Sequence, residues 1–410
     1  MTFLRIIFGS VYIVSGFLKF IDPVGTSLIV NEYLQVMHLE FLSWGSLAFG
    51  IILSSFEFLI GISVLAGIRI RIGSFLGLIV SSFFTILTFV MAILDSIKEC
   101  GCFGEAIHLT MWETFIKNII LTACIIPIFI YRKKFKQVAP EFAEWILIGI
   151  MAAFSIFVPV YSVINIPFAE FGHYKVGTNL SVKLTEMNNA SQYKTRFIYE
   201  KDGKQEYFDL DNLPDDSWTY VDSETIFEGD EKSLTFDMSI NDLTGESMAE
   251  SLVNSEDPIF IFSAYYPDKL KDGYWEKINE AFDSLYSAGA MPYLLVTTYE
   301  DIEESVIEKY PSLSRSLMIG DFKTLISMVR SNGGAIYIRD GIVVKKWSGK
   351  FLESSNMKSV LEKDPEVVTA SECIKEHLFI ELSILIIFII IILFRYICGI
   401  LYGKTNGYKK

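Results

Sequence analysis

Six long apolar runs decide what this chain can fold into. They cover roughly residues 3–20, 44–66, 72–94, 112–131, 143–164 and 377–401. A helix crosses the hydrocarbon core of a bilayer with about 20 apolar residues at 1.5 Å rise each. The last run is the plainest, because 382–394 is almost pure Ile, Leu and Phe. The first is short, but it has no small-x-small cleavage site and runs straight into Lys19-Phe20-Ile21-Asp22-Pro23, so it reads as a span rather than a signal peptide. With 51% hydrophobic residues over 410 positions, the chain is expected to be an integral membrane protein.

The charges between the runs set an orientation. Arg5 precedes the first span, Arg69 and Arg71 follow the second, Arg132, Lys133, Lys134 and Lys136 follow the fourth, and Lys404, Lys409 and Lys410 follow the sixth. Placing all of them in the cytoplasm requires two cytoplasmic termini and an even number of spans. The stretches 21–43, 95–111 and 165–376 are then outside, in the periplasm if the membrane is a bacterial inner membrane. Segment 165–376 carries 21 Lys and Arg against 38 Asp and Glu, a net charge of −17. That sign argues against nucleic acid as a partner and fits a solvated acidic surface.

The organisation expected is a four-helix membrane unit over 1–135, a fifth span within 136–164, a β-rich segment over 165–256, an α/β domain over 257–365 and a sixth span over 377–402. Residues 196–208 read as a hairpin with Asp202-Gly203 at its tip. From Pro258 onward, apolar strands at 259–263 and 292–297 alternate with helical stretches at 274–288 and 323–330. A last hairpin follows, 335–339 and 342–347, across Asp340-Gly341. The order βα, β, α, ββ is that of a thioredoxin-like core, an association that says nothing of chemistry by itself.

Chemistry is expected at the cysteines. Cys100 and Cys102 stand in Glu99-Cys100-Gly101-Cys102-Phe103-Gly104-Glu105 at the outer end of the third span. Cys373 precedes the sixth span on the same side, in an oxidising compartment. A Cys-x-Cys disulfide closes a small strained ring, glycine tolerates its backbone best, and strained bonds tend to be catalytic or regulatory. A metal site would need two further ligands, and only His108 is near; a merely structural pair is the third reading. Cys373 is either the third thiol for exchange or a chance juxtamembrane cysteine. Cys124 and Cys398, inside spans, read as small apolar fillers. Glu57 is a carboxylate in mid-span, by default a functional candidate. It reads either as a proton relay beside the redox pair or as a structural partner of Lys19, Arg5 or Asn118. Lys19 and Asp22 read first as snorkelling anchors at the end of span one.

Residues 1–135 resemble the DoxX/MauE family of redox-associated four-helix membrane proteins. The resemblance rests on Arg5, Ser15-Gly16, Lys19, Asp22-Pro23-Val24-Gly25, Tyr33, Glu57, Gly61, Cys100-Gly101-Cys102-Phe103-Gly104, Leu109-Thr110-Met111-Trp112-Glu113-Thr114, Lys117 and Asn118. The whole chain resembles a Bacteroidetes-type version with an added thioredoxin-like domain. The family implies thiol–disulfide chemistry in the periplasm. By architecture the unit is also similar to the quinone-coupled disulfide enzymes of the DsbB and vitamin K epoxide reductase types, which implies quinone as electron carrier. The chain departs from the pattern with Glu99 and Glu105 where relatives would carry Asp. No Cys-x-x-Cys follows the first strand of the thioredoxin-like domain; Tyr265-Tyr266-Pro267-Asp268-Lys269 stands there. Near the usual cis-proline the chain reads Arg330-Ser331-Asn332-Gly333-Gly334. Such a domain would bind or scaffold rather than exchange thiols. The expectation is a membrane thiol–disulfide protein, or alternatively a non-enzymatic assembly or anchoring subunit whose outer domain docks a periplasmic partner. A transporter is disfavoured because the spans hold few polar residues besides Glu57.

Overall fold

The structure is a computed structural model that describes residues 1–94, 101–107, 109–135, 139–190, 193–201, 204–209, 213–214, 218–227, 238–299, 302 and 304–407. Its first half is helical: α1 (Thr2–Ile21), α2 (Pro23–Val36), α3 (Ser46–Ala66), α4 (Ile70–Leu94), the short strand β1 (Cys102–Glu105), α5 (Met111–Ile130) and α6 (Glu141–Ile164). Next come α7 (Leu180–Ala190), β2 (Tyr193–Lys201), β3 (Lys204–Asp209), β4 (Thr219–Phe227), β5 (Ile240–Asn241), α8 (Ala249–Val253), β6 (Ile259–Ala264), α9 (Asp272–Ser287) and β7 (Met291–Val296). The chain closes with α10 (Glu304–Lys309), α11 (Pro311–Arg315), β8 (Leu317–Gly320), α12 (Phe322–Met328), β9 (Gly334–Arg339), β10 (Ile342–Trp347), α13 (Ser354–Leu361) and α14 (Pro365–Gly407).

Six of these helices are long and apolar enough to cross a membrane: α1, α3 with the turn before it, α4, α5, α6 and α14. They are the six runs read from the sequence, and the chain is a membrane protein. Side chains such as Phe83, Ile86, Phe157, Leu385 and Ile392 stand outward from the bundle, where lipid meets them. Two boundaries differ from the sequence reading. The sixth span belongs to a single 43-residue helix beginning at Pro365, so Cys373 lies on that helix and not in a connecting segment. The stretch 21–43 contains α2, whose start is built by Asp22 as N-cap, accepting from the Gly25 amide at 2.9 Å, and Pro23 in the first turn.

α1 and α3 approach closely because their contact is lined with glycine. A Cβ on Gly16 would lie 2.6 Å from the Phe58 nitrogen and the Ser54 oxygen, and one on Gly61 would lie 2.7 Å from the Ile13 nitrogen. Small residues at such crossings let backbones touch. α4 and α5 are joined instead by hydroxyls: Thr122 bonds Ser81 at 2.8 Å and Thr85 at 2.9 Å, and Asn118 donates to Thr88 at 3.3 Å. Phe17, Phe20, Phe58 and Phe154 knit α1, α3 and α6. At the far end of α3, Arg5 and Arg395 both donate to the Leu65 carbonyl, satisfying a helix C-terminus with cations.

α5 begins with a full capping box. Thr110 accepts from the Glu113 amide, and the Glu113 carboxylate accepts from the Thr110 amide at 2.9 Å. Thr110→Ala is expected to lower stability by about 0.5–2 kcal/mol, read as a fall in the thermal midpoint of the detergent-solubilised protein; an unchanged midpoint would show that this end of α5 is held by other contacts.

A six-stranded sheet, ordered β10-β9-β6-β7-β8-β5, makes up the second unit. β6, β7 and β8 are parallel, while β9, β10 and β5 run antiparallel to their neighbours. β6 is buried along its whole length, as a strand covered on both faces must be. Ile259 and Ile261 face one core with Leu180, Leu252, Leu325 and Ile336. Phe260 and Phe262 face the other with Ile278, Phe282 and Leu285 of α9. The turn spacing of those three α9 residues, four then three, is what made the helix legible. β2, β3 and β4 form a separate antiparallel sheet. The Asp202-Gly203 tip expected there lies outside the described residues.

Candidate functional site

Ser15 and Lys19 lie four residues apart on one face of α1, and Asp22 caps its end. The glycine-lined crossing brings Glu57 of α3 to that face. Lys19 Nζ lies 2.8 Å from both Glu57 carboxylate oxygens, and the pair is almost fully buried. Lys19 and Asp22 are therefore not snorkelling anchors; both are internal, 7% and 3% exposed. Among the partners considered for Glu57, the structure supplies Lys19. Arg5 is engaged with the Val64 and Leu65 carbonyls, and Asn118 with Thr88 and the Phe84 carbonyl.

Ser15 Oγ stands 2.9 Å from Glu57 Oε2 and 2.7 Å from the Cys102 carbonyl oxygen. A hydroxyl carries one proton, so it serves these two acceptors alternately or shares its proton between them. Cys102 heads β1, and its neighbourhood is an apolar cluster of Met91, Ala92, Met111, Tyr33, Val36 and Leu87. The bend is made by two left-handed glycines. Gly101 has φ +61° and lies against Ile29, and Gly104 has φ +63° and lies over the Leu18–Lys19 backbone; only glycine takes such conformations without steric cost. The Lys117 ammonium sits 4.7 Å from the centre of the Phe103 ring. Beside this cluster, on the same face of α5 as Met111, the buried Thr114 hydroxyl has no hydrogen-bond partner among the described residues. Cys100, Glu99 and His108 lie outside the described residues, so the sequence-read pair is seen here through Cys102.

The sheet unit reaches the same place. Arg330, in the turn before β9, is buried, and its Nη2 donates to Glu105 Oε2 at 2.7 Å and to Asp22 Oδ2 at 3.0 Å. Its Nε also donates to Asp22 Oδ2, at 3.2 Å. Burial works against the guanidinium charge, and Asp22 and Glu105 more than offset it, holding Arg330 charged well above its ordinary range. For Asp22, burial pushes the carboxyl up while Arg330 opposes the change. The Tyr265 hydroxyl donates to the Arg330 carbonyl at 2.9 Å, and Asn332 exchanges two bonds with the Tyr266 backbone. The stretch read as standing in for a thiol motif is thus zipped to the Arg330 turn. Lys323 adds an exposed bond to Glu32 of α2.

Cys373 is placed elsewhere, with its Sγ 3.5 Å from the Val176 carbonyl oxygen and packed beside Gly177. Cys124 and Cys398 are buried. Sequence reasoning missed Arg330 as a site residue, since nothing local distinguishes it from a surface arginine. It could have found α2 from Asp22-Pro23, a helix-start signature.

Residues 1–131 match the model of the family described as Methylamine utilisation protein MauE. Over these residues the membrane unit is similar to that family. The match spans α1 to α5 and includes the whole Ser15–Lys19–Glu57–Cys102 constellation. A second match, over residues 193–227, is to a domain of unknown function, DUF8463. It covers β2 to β4, outside the MauE-like unit. No curated protein and no solved structure matches the chain.

Proposed function

We propose that this chain is a membrane redox protein in which Cys100 and Cys102 cycle between dithiol and disulfide at the face of the MauE-like unit that meets the sheet unit. The observation that carries this reading is the Ser15 hydroxyl, which joins the Glu57 carboxylate to the backbone of Cys102 inside the bundle. A dithiol that becomes a disulfide gives up two electrons and two protons. A buried carboxylate paired with an ammonium and linked through a hydroxyl to the thiol loop is a suitable station for those protons. Electrons exchange with a partner protein's cysteines by thiol–disulfide exchange, or with a lipid-soluble quinone, which takes up two electrons and two protons to become a hydroquinone. The apolar cluster around Cys102 and the unpartnered Thr114 hydroxyl suit a flat ring bearing carbonyl acceptors.

The sheet unit is read as a thioredoxin-like domain over 257–365 without its thiols. Supporting this are the order β10-β9-β6-β7, with β6 parallel to β7, and Tyr265-Tyr266 after β6. The basic ends of α3 and α5, opposite the sheet unit, support two cytoplasmic termini and a periplasmic sheet unit in a bacterial inner membrane. A second reading, an assembly or anchoring subunit that docks a partner, is favoured by the same missing thiols.

Thiol trapping in cells after a pulse of reductant, with peptide mapping of 99–105, tests the proposal. A pair that re-oxidises and forms mixed disulfides with other proteins is the expected result. A pair that stays oxidised throughout, with Cys100→Ser and Cys102→Ser lowering abundance only, would leave the assembly reading. Ser15→Ala is expected to lose about 1–3 kcal/mol of stability and, in the folded protein, to slow re-oxidation about tenfold or more, the lower range for loss of an acid–base group; unchanged re-oxidation would remove Ser15 and Glu57 from the proton path.

A further inference from the structure

We propose that Arg330 is a positioning residue for the thiol loop, holding Cys102–Glu105 onto the membrane unit from the sheet unit. The inference rests on the redox reading of that loop for its meaning, but its geometry stands alone. The segment is held at its two ends by different units. At Cys102 the carbonyl is bonded by Ser15 of α1; at Glu105 the carboxylate is bonded by Arg330, 225 residues away in sequence. Asp22 is also held by the Gly25 amide, so the guanidinium ties the loop's carboxylate to one already engaged at the start of α2. Its surroundings are fitted closely: a Cβ on Gly25 would come to 3.1 Å from Nη2, and one on Gly172 to 3.3 Å. The planar fork of arginine suits this bridging role in a way that a lysine point charge does not.

Without Arg330 two carboxylates, Asp22 and Glu105, would face each other in a largely water-free place. Like charges so placed repel, and Glu105, the more exposed of the two, would carry its end of the loop outward. Cys102 would then leave the Met91–Met111 cluster. The other titratable or charged groups near the loop and its bridge are Tyr12 and Lys19 of α1, Tyr33 of α2, Glu57 of α3, Lys117 of α5 and, beside Arg330, Glu170. Among the described residues, the ion pair of Glu105 is the one with Arg330.

The test uses the full-length reduced protein in lipid nanodiscs. Iodoacetamide alkylation is followed from pH 6 to 10 and mapped by mass spectrometry, with Cys373 as internal reference. The plateau rate at high pH reports access and the midpoint reports charge. Arg330→Gln is expected to raise the Cys102 plateau about tenfold relative to Cys373, the equivalent of one charge-assisted hydrogen bond lost. Arg330→Lys should recover part of the protection. Glu105→Gln keeps an acceptor but loses the ionic bond, leaving the Arg330–Asp22 pair in place, and should show a smaller selective rise, about threefold, even if Arg330→Gln fails to fold. A Cys102 plateau within about twofold of wild type in folded Glu105→Gln protein, or a parallel rise at Cys373, would overturn the proposal. The measurement is made on reduced thiols, so it stands whether or not the pair turns over in cells.

Discussion

Lys19→Met is expected to destabilise the membrane unit by about 3–5 kcal/mol, the usual consequence of leaving one member of a buried ion pair without its counter-charge. The Lys19 ammonium bonds both oxygens of Glu57, and the Ser15 hydroxyl stands 2.9 Å from the same carboxylate, which has no second cation paired with it among the described residues. Thermal unfolding in detergent, followed by circular dichroism, measures the effect; a midpoint near wild type would mean that Glu57 finds another partner. The double variant Lys19→Met/Glu57→Leu removes both charges and should regain most of the loss, because an apolar pair of similar volume replaces a buried ion pair at little cost. Under the redox reading, the recovered protein should still fail to re-oxidise Cys100 and Cys102. Stability and turnover would then separate in one pair of variants, and only a functional role for the ion pair moves the second.

Gly16→Ala is the second large effect. The added Cβ would meet backbone atoms of α3 at 2.6 Å, and backbone cannot swing aside as a side chain can. α1 and α3 must part, at a cost of about 2–3 kcal/mol from overpacking. The same displacement pulls Ser15 and Lys19 away from Glu57, so the loss is structural and chemical together. Gly149→Ala is the control: no atom lies within 4 Å of its Cβ, and in a helix interior alanine is favoured over glycine by roughly 1 kcal/mol. Equal melting of the two variants would show that the α1–α3 crossing has room to relax.

Much of the membrane architecture was legible in the chain because a bilayer imposes a length and an apolar composition on every span. The helix–strand alternation after Pro258 was legible too, since the two periods differ. α2 was passed over because its mixed polar face lacks the apolar run of a span, although Asp22-Pro23 marks its start. α14 was read short because its first turns carry Glu366, Glu372 and Glu376, which look like a linker until the sheet unit packs against them. Thr114 and Asn118 could be placed on one helix face by counting, but not which hydroxyl would go unpartnered.

The sequence by itself determined that six helices cross a membrane, that the thiol motif sits at the end of one of them, and that a strand-rich segment lies between the fifth and sixth. It did so through local quantities, namely apolar length, period and turn residues. Only the tertiary structure decided which charges meet. Lys19 and Glu57 are 38 residues apart and Asp22 and Arg330 are 308 apart. Periodicity carries no information across such distances. The partners are chosen by close packing, and that choice, which sets Arg330 between Asp22 and Glu105, is what binds the sheet unit to the loop bearing Cys102.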